Sequence, residues 1–264
     1  MRLGVVGLGL MGASFAEALR SARPGIEIVG IDSDPATLAT ALERGIIREP
    51  GIEASDVVML AVPPLAIRDL LPNLPRHALV TDMASTKARI MVWAAESGVD
   101  FVGGHPMCGR ELSGIGAADP ELFRGAPWVL TRIDSRVEDL VRAVGSHPVV
   151  MDPERHDRLV AAISHSAFVL SAAYALAVSA SREWPEMSGL AASGFRDMTR
   201  LAAGSPEMYA GIAATNADNI VEWLRLIEKQ VAKLRRHIEA GDPRLAELFE
   251  EAREKRERWL DGQR

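Results

Sequence analysis

A histidine in a glycine-rich segment is the first candidate for chemistry in this chain. Residues 103–111 read Gly-Gly-His-Pro-Met-Cys-Gly-Arg-Glu and follow a strand-like run at residues 99–102. We therefore expect His105 to lie at an exposed strand terminus. Histidine has an ordinary pKa near neutrality, and open α/β sheets gather ligands at the carboxyl ends of their strands. The pattern predicts that His105 is a general base, the alternative being a structural histidine beside a strand.

A thiol and a hydroxyl are candidate partners of this histidine. Cys108 stands three residues after His105, so a Cys–His nucleophile is an alternative to consider. No other feature supports acyl transfer, so we expect Cys108 to pack as a small apolar residue. Ser85 follows another predicted strand and opens a helix. It is expected to cap that helix, and its hydroxyl could also bond a substrate or orient His105.

Candidate substrate contacts lie further along the chain. Arg196 and Arg200 are four residues apart, so on a helix they would share one face. They could bind a carboxylate in bidentate fashion, or form surface salt bridges. His165 lies in an apolar segment, where a lone histidine is usually a core residue but could contact a substrate. No metal site is predicted, because His147, His156 and His165 recur every nine residues and do not share a helix face.

A glycine turn near the N-terminus predicts a dinucleotide site. Residues 7–12 read Gly-Leu-Gly-Leu-Met-Gly, between a short apolar strand and a helical pattern. Glycines at this spacing allow a tight turn and a close approach to a pyrophosphate at the helix N-terminus. A second strand at residues 26–31 leads to Asp32, whose charge favours NAD over NADP. The expected cofactor contacts are Gly7, Leu8, Gly9, Leu10, Met11, Gly12, Asp32, Ser33, Val62 and Pro63.

The positions of apolar runs predict the elements that hold these residues. Strand-like segments alternate with helical ones up to about residue 151, and the rest of the chain is predicted to be helical. This order indicates an α/β fold, with a Rossmann-type, doubly wound and mainly parallel sheet followed by an all-helical domain. The expected domains are residues 1–151 and 152–264.

Composition narrows the class of protein. The 264 residues carry a net charge of −6 and no basic cluster, so we expect no nucleic-acid partner. A single cysteine and the lack of a secretory pattern predict a cytoplasmic location. Residues 159–181 carry no charge and are long enough to span a bilayer, yet they contain five serines. We expect no membrane span but a helix buried on all sides, in a domain or a dimer.

Several of these segments together resemble the prephenate/arogenate dehydrogenase family of tyrosine biosynthesis. The glycine turn is common to many dehydrogenases, whereas the His-Pro segment and the Gly-Phe-Arg-Asp-Met-Thr-Arg segment are specific. The resemblance implies an oxidoreductase that performs NAD(P)-dependent oxidative decarboxylation of a cyclohexadienol, and a homodimer formed through the helical domain. The matching segments are residues 7–12, 82–87, 104–109, 164–165 and 194–200.

The resemblance also implies roles for individual side chains. His105 matches the histidine that bonds the ring hydroxyl and takes its proton, and Ser85 matches a serine that bonds the same hydroxyl. Arg200 matches the arginine that holds the ring carboxylate. Arg196 and His165 are further expected substrate contacts.

One departure leaves the substrate open. Phe168 stands where many members have a second histidine, which could meet the substrate's side chain. Its loss tilts the expectation toward arogenate without excluding prephenate. Two other functions stay open. Another β-hydroxyacid-type dehydrogenase would need a lysine that residues 153–181 lack, and an NAD-sensing binding module would have no turnover.

Overall fold

A parallel five-stranded sheet forms the first half of the computed structural model, which describes residues 1–262. The strand order is β2-β1-β3-β4-β5, and all neighbours run parallel. The direction of strand succession therefore reverses at β1 and β3, which is where such sheets bind ligands. The strands are β1 (Arg2–Val6), β2 (Glu27–Ile31), β3 (Val57–Leu60), β4 (Leu79–Asp82) and β5 (Asp100–Val102).

Helices cover both faces of this sheet, as the near-continuous apolar strands predict. One core cluster joins the sheet to the first helix through Phe15 and Leu19, and the other joins it to the third and fourth helices through Ile67 and Ile90. The doubly wound prediction is therefore confirmed. The helices between the strands are α1 (Leu10–Ala22), α2 (Pro35–Glu43), α3 (Pro64–Leu70) and α4 (Ala88–Ser97).

A second, three-stranded sheet follows and contains the candidate base. It is built from β6 (Gly104–Pro106), β7 (Pro127–Leu130) and β8 (His147–Val150), with α5 (Ser135–Ala143) between the last two. β6 runs antiparallel to β7, and β8 runs parallel to β7 at the edge of the sheet.

The expectation of an exposed strand terminus for His105 is wrong. His105 lies within β6 opposite Val129, and only 8% of its surface is exposed. Glycine at position 104 allows the backbone at the start of β6 to approach neighbouring residues closely. A Cβ on Gly104 would lie 2.5 Å from the Asp82 carbonyl oxygen and 2.9 Å from Trp128 Nε1.

The described chain after β8 contains helices and no further strand. Asp152 caps the first of these helices by accepting a hydrogen bond from the Arg155 N–H at 2.9 Å. The helices are α6 (Pro153–Val160), a π-helical turn (Ala161–His165), α7 (Ser166–Ser179), α8 (Trp184–Leu190), α9 (Ser193–Thr199), α10 (Pro206–Thr215), α11 (Ala217–Glu239) and α12 (Arg244–Asp261).

The chain groups into two compact units, one comprising Met1–Ile220 and one beginning at Val221. The domain boundary that we predict between residues 151 and 152 lies where the strands end and the helices begin, and it differs from the division after Ile220. Its role as a domain boundary stays a prediction.

One helix in the described part of the chain, Pro153–Ser179, is long and apolar enough to cross a membrane by length and composition alone. Core helices meet the same criteria. The expectation that this helix is buried on all sides is wrong within the single chain. Ile163 is 72% exposed and Leu176 is 70% exposed. The helix therefore exposes some apolar side chains and buries others at the candidate site.

Candidate active site

The glycine turn joins β1 to α1 at the carboxyl edge of the parallel sheet. Gly7 has φ +88, which favours glycine, and a Cβ on Gly12 would lie 1.9 Å from the Gly7 carbonyl oxygen. Gly9 differs, because a Cβ there would meet nothing within 4 Å. Among residues 1–262 no side chain caps the start of α1, so its first N–H groups are free for an anion. The turn fits a pyrophosphate over Gly9.

Asp32 lies beside this turn, directly after β2. Its carboxylate accepts hydrogen bonds from the Leu8 N–H at 2.6 Å and from the Asp34 N–H at 2.9 Å. These bonds fix the carboxylate while each oxygen keeps a second lone pair, as binding of ribose hydroxyls would require. Val62 also borders the turn, because one of its methyl groups would lie 2.8 Å from a Cβ on Gly7.

The remaining expected cofactor contacts lie around the same sheet edge. Ser33 is exposed after β2, and Pro63 is half-buried where it caps α3. Leu10 and Met11 begin α1, Leu10 being buried and Met11 packed against the core. The ten expected contacts therefore come from three adjacent strand ends, which is the arrangement that a dinucleotide site needs.

His105 is the first member of a buried line of three side chains. Its Nδ1 lies 2.8 Å from Nε2 of His156, on α6. Nδ1 of His156 in turn lies 2.8 Å from Oδ1 of Asp157. Burial lowers the pKa of His105 well below its ordinary value, and His156, Lys87 and His165 lower it further. His105 is therefore a neutral imidazole at neutral pH, as a base must be before it accepts a proton.

Asp157 also caps the helix that carries the expected hydroxyl. Its Oδ1 accepts a hydrogen bond from the Lys87 N–H at 2.8 Å, and its Oδ2 accepts one from the Ala88 N–H at 2.9 Å. The expected role of Ser85 as a helix cap is therefore taken by Asp157. The Ser85 side chain has no hydrogen-bond partner in the described chain, His105 included, so its hydroxyl is free for a ligand.

A fully buried ion pair supports the backbone beside His105. Lys87 Nζ donates to Asp82, the last residue of β4. Asp82 also accepts hydrogen bonds from the Ala84 N–H at 3.0 Å and from the Gly104 N–H at 2.8 Å. Burial raises the pKa of Asp82 and lowers the pKa of Lys87, so each charge depends on the other. The pair ties the end of β4 to the start of β6.

His165 lies at the end of the π-helical turn and is fully buried. Its Nδ1 is 3.1 Å from Nδ2 of Asn216, which also donates to the Asp157 carbonyl oxygen at 2.8 Å. Burial lowers the pKa of His165 to about 4, against opposing effects of Asp157 and the Ser85 backbone. The neutral ring accepts at Nδ1, so it carries its hydrogen on Nε2, which is buried and makes no hydrogen bond of normal length and angle in the described chain.

The two arginines lie outside this buried cluster. Arg200 is 61% exposed at its side chain and forms an ion pair with Glu111, in the loop after β6. Arg196 is exposed, and its side chain has no partner among the described residues. α9 ends at Thr199, and Arg200 opens a 3₁₀ turn. The two arginines therefore do not share one continuous α-helical face.

Two other residues from the sequence analysis now have defined surroundings. The Phe168 ring stacks on Tyr209, with ring centroids 3.9 Å apart, and lies 6.1 Å from the His165 ring. Burial raises the pKa of Cys108 to about 11, so Cys108 is a thiol at neutral pH and packs against the core. A thiolate nucleophile is therefore not formed there.

Sequence reasoning missed His156, Asp157 and the buried Asp82–Lys87 pair. His156 entered only as a possible metal ligand, and Asp157 was not considered. No local signal singles out His156 and Asp157, because Glu154, Arg155 and Arg158 surround them in the same polar helix. The contact with His105 depends on a pairing across 51 residues, which no local pattern reveals.

Comparison with known proteins assigns the family. Residues 15–147 match the family model described as the nucleotide-binding domain of prephenate dehydrogenase, and residues 152–251 match its dimerization domain. The chain is 33% identical to a prephenate dehydrogenase of Bacillus subtilis over 264 residues, covering 90% of this chain and 70% of the relative.

Solved structures are similar over the same extent. An Aquifex aeolicus prephenate dehydrogenase, in complex with hydroxyphenyl propionate and NAD+, has a TM-score of 0.90 at 28% identity, covering 98% of each chain. Synechocystis arogenate dehydrogenase has a TM-score of 0.77 at 31% identity, covering 98% of this chain and 100% of that one. The sequence match over both domains and the shared fold lead to one conclusion: this chain belongs to the prephenate dehydrogenase family.

Proposed function

We propose that this chain is an NAD-dependent dehydrogenase of tyrosine biosynthesis that oxidatively decarboxylates prephenate, arogenate or both. The observation that carries the proposal is the buried, neutral His105, whose strand is joined by the Gly104 N–H to Asp82 at the end of a parallel strand. Ser85, whose hydroxyl has no partner in the described chain, follows Asp82 by three residues, and the glycine turn follows another strand of the same parallel sheet. A general base and a hydroxyl-binding partner next to a dinucleotide site are the parts that oxidation of a ring alcohol needs.

The cofactor site favours NAD. Bound NAD supplies the hydride acceptor for the reaction. The glycine turn leaves room for its pyrophosphate over Gly9, and the fixed carboxylate of Asp32 accepts ribose hydroxyls. The same carboxylate repels a 2′-phosphate, so NADP is the weaker cofactor.

The chain's own residues act on the ring hydroxyl and the ring carboxylate. His105 accepts the hydroxyl proton while Ser85 hydrogen-bonds the same oxygen. Arg200 holds the ring carboxylate with a guanidinium that now pairs with Glu111. The carboxylate leaves as carbon dioxide because its loss makes the ring aromatic. His165 offers a buried N–H donor, and Arg196 offers a second cation further out.

Arogenate preference is the second candidate. Phe168 has no hydrogen-bonding group and is stacked on Tyr209, so it cannot donate to the keto oxygen of prephenate. This feature favours a substrate whose side chain does not depend on such a donor.

The assembly and the location belong to the same proposal. The exposed apolar side chains Ile163, Leu176 and Leu190 lie in the part that matches a dimerization domain, which supports a homodimer through the helices. The single cysteine is a free thiol, as is usual in the reducing cytoplasm.

A direct assay tests the proposal. Purified protein is incubated with prephenate or arogenate and with NAD or NADP, and both cofactor reduction and carbon dioxide release are followed. We expect turnover with NAD and with at least one of the two substrates. The absence of turnover in all four combinations would contradict the proposal. Oxidation of a β-hydroxyacid instead would favour the rival dehydrogenase class.

A further inference from the structure

We infer that His156 and Asp157 are positioning residues that fix the tautomer of His105, an inference that rests on the proposed function. The three side chains form a buried line from β6 to α6, with two contacts of 2.8 Å. In this line Asp157 determines where His156 carries its hydrogen, and His156 determines where His105 carries its own.

The first step concerns Asp157. Its two oxygens accept the Lys87 N–H at 2.8 Å and the Ala88 N–H at 2.9 Å, at the start of α4. Backbone donors and a helix N-terminus both stabilise an ionised carboxylate. An ionised carboxylate only accepts hydrogen bonds. The partner nitrogen, Nδ1 of His156, must therefore carry a hydrogen.

The second step concerns the two rings. A neutral imidazole with a hydrogen on Nδ1 has a lone pair on Nε2. Nε2 of His156 lies 2.8 Å from Nδ1 of His105, so the His105 nitrogen must be the donor. Nε2 of His105 then holds the lone pair. The line thus leaves His105 in the tautomer that can accept the substrate's hydroxyl proton.

The opposite arrangement is disfavoured by the surroundings. It would place a donor on Nε2 of His156 and an acceptor on its Nδ1, facing the Asp157 carboxylate. The other titratable groups near the rings are His165, on the π-helical turn, and Lys87, before α4. The Lys87 charge is paired with Asp82, and His165 is neutral. Neither reverses the preference that Asp157 imposes.

The same line also orients the imidazolium that forms during turnover. Once His105 has accepted the proton, its Nδ1–H still donates to His156, and the Asp157 charge lies behind the second ring. Asn216 steadies this arrangement by donating to the Asp157 carbonyl oxygen at 2.8 Å. Residues of the helical part of the chain therefore fix the tautomer and the orientation of His105, which lies in the second sheet.

Nitrogen-15 NMR of the intact protein, labelled at its six histidines, tests the tautomer without any turnover. The His105 signals are assigned by their loss in His105→Asn. We expect a hydrogen on Nδ1 and none on Nε2 in the neutral ring. A hydrogen on Nε2 would overturn the inference. This result does not depend on which substrate is used, so it separates the inference from the proposed function.

The variant Asp157→Asn tests the cause. The amide has a single oxygen, so it cannot accept from both N–H groups at the start of α4, and its NH₂ group reverses both rings when it replaces the oxygen that faces His156. We expect the His105 hydrogen to move to Nε2 and kcat to fall roughly a hundredfold or more, the range that general bases contribute. The Kd for NAD should stay within about threefold. Wild-type kcat together with an unchanged tautomer would contradict the inference.

A pair of substitutions at His156 covers the case in which Asp157→Asn fails to fold. Gln retains an acceptor close to the position of Nε2, whereas Leu has none. We expect His156→Gln to retain kcat within about tenfold and His156→Leu to lose at least a hundredfold. Equal losses would indicate a packing role only. His147→Asn, at an exposed histidine in β8, is the matched control and should leave kcat unchanged.

Discussion

At the scale of single residues, the site combines one neutral base with charges held away from it. Burial is the largest cause of the lowered pKa of His105, and the Lys87 charge beside it is paired with Asp82. Arg200, the proposed cation for the substrate, lies outside the buried cluster and has a mostly exposed side chain. This separation lets the base stay neutral while a carboxylate is bound nearby.

The first prediction at this scale concerns pH. A base acts only when it is unprotonated, and a lowered pKa keeps His105 unprotonated to a more acidic pH. We therefore expect the acid limb of kcat/KM to lie below pH 6.5, the ordinary pKa of histidine. A pH profile of kcat/KM over the acid range measures it. An acid limb above that value would show that burial does not govern the base.

The second prediction concerns Arg200. Arg200→Ala removes the charged hydrogen bonds to the ring carboxylate, which contribute about 1.5–3 kcal/mol. We expect KM for the substrate to rise roughly tenfold to a hundredfold, with little change in the Kd for NAD. Arg124→Ala is the matched control, because Arg124 is also exposed and paired with a glutamate, Glu121. An unchanged KM would reassign Arg200 to a surface ion pair.

At the scale of elements, the strand ends decide what the site can hold. The glycine turn, Asp32, Val62 and the Asp82–Lys87 pair all follow or end parallel strands, so the fold brings them to one edge of the sheet. Each glycine in the turn has a separate task. Gly12 lets α1 pack on the turn, whereas Gly9 leaves open space above it.

These separate tasks give the third prediction. Gly9→Ala should leave the free energy of unfolding nearly unchanged but raise the Kd for NAD, because its methyl group enters the open space. Gly12→Ala should also destabilise the fold, by about 1–3 kcal/mol, because its Cβ meets the Gly7 carbonyl oxygen. Calorimetric titration and denaturant unfolding measure the two effects.

The control for this pair is Gly25→Ala, at a turn glycine whose Cβ would also meet nothing within 4 Å. Gly25→Ala should change neither the Kd for NAD nor the free energy of unfolding. Equal Kd values for NAD in Gly9→Ala and Gly25→Ala would contradict a pyrophosphate site over Gly9.

The sequence predicted the elements well and the buried cluster poorly. Strand positions and the glycine turn follow from local patterns, which is why they could be predicted. β6 was missed because it consists of only three residues, Gly104, His105 and Pro106, and glycine and proline are not typical of strands. The contacts of His156 and Asp157 depend on tertiary packing between α6, α4 and β6, to which periodicity is insensitive.

At the scale of the whole molecule, one helix serves two purposes. Pro153–Ser179 buries His156, Asp157 and His165 at the site, and it exposes the apolar side chains Ile163 and Leu176. Exposed apolar side chains on a helix of the matched dimerization domain support contact with a second copy. Assembly and catalysis would then share one element.

The fourth prediction follows from this arrangement. Leu176→Arg places a charge on the proposed contact face, so we expect dimers of the wild type to become monomers in light-scattering measurements. Ile133→Arg is the control, because Ile133 is 70% exposed, like Leu176, but lies before α5. A monomeric wild type, or a dimer unaffected by Leu176→Arg, would refute this contact face.

The central claim is that His105 is the base of an NAD-dependent oxidative decarboxylation. The most direct test compares wild type with His105→Asn in assays with prephenate and with arogenate, following NAD reduction and carbon dioxide release together. We predict one carbon dioxide released for each NAD reduced, and a kcat lower by about 10²–10⁴-fold in His105→Asn at an unchanged Kd for NAD. Equal turnover by both proteins, or none by wild type with either substrate, would contradict it.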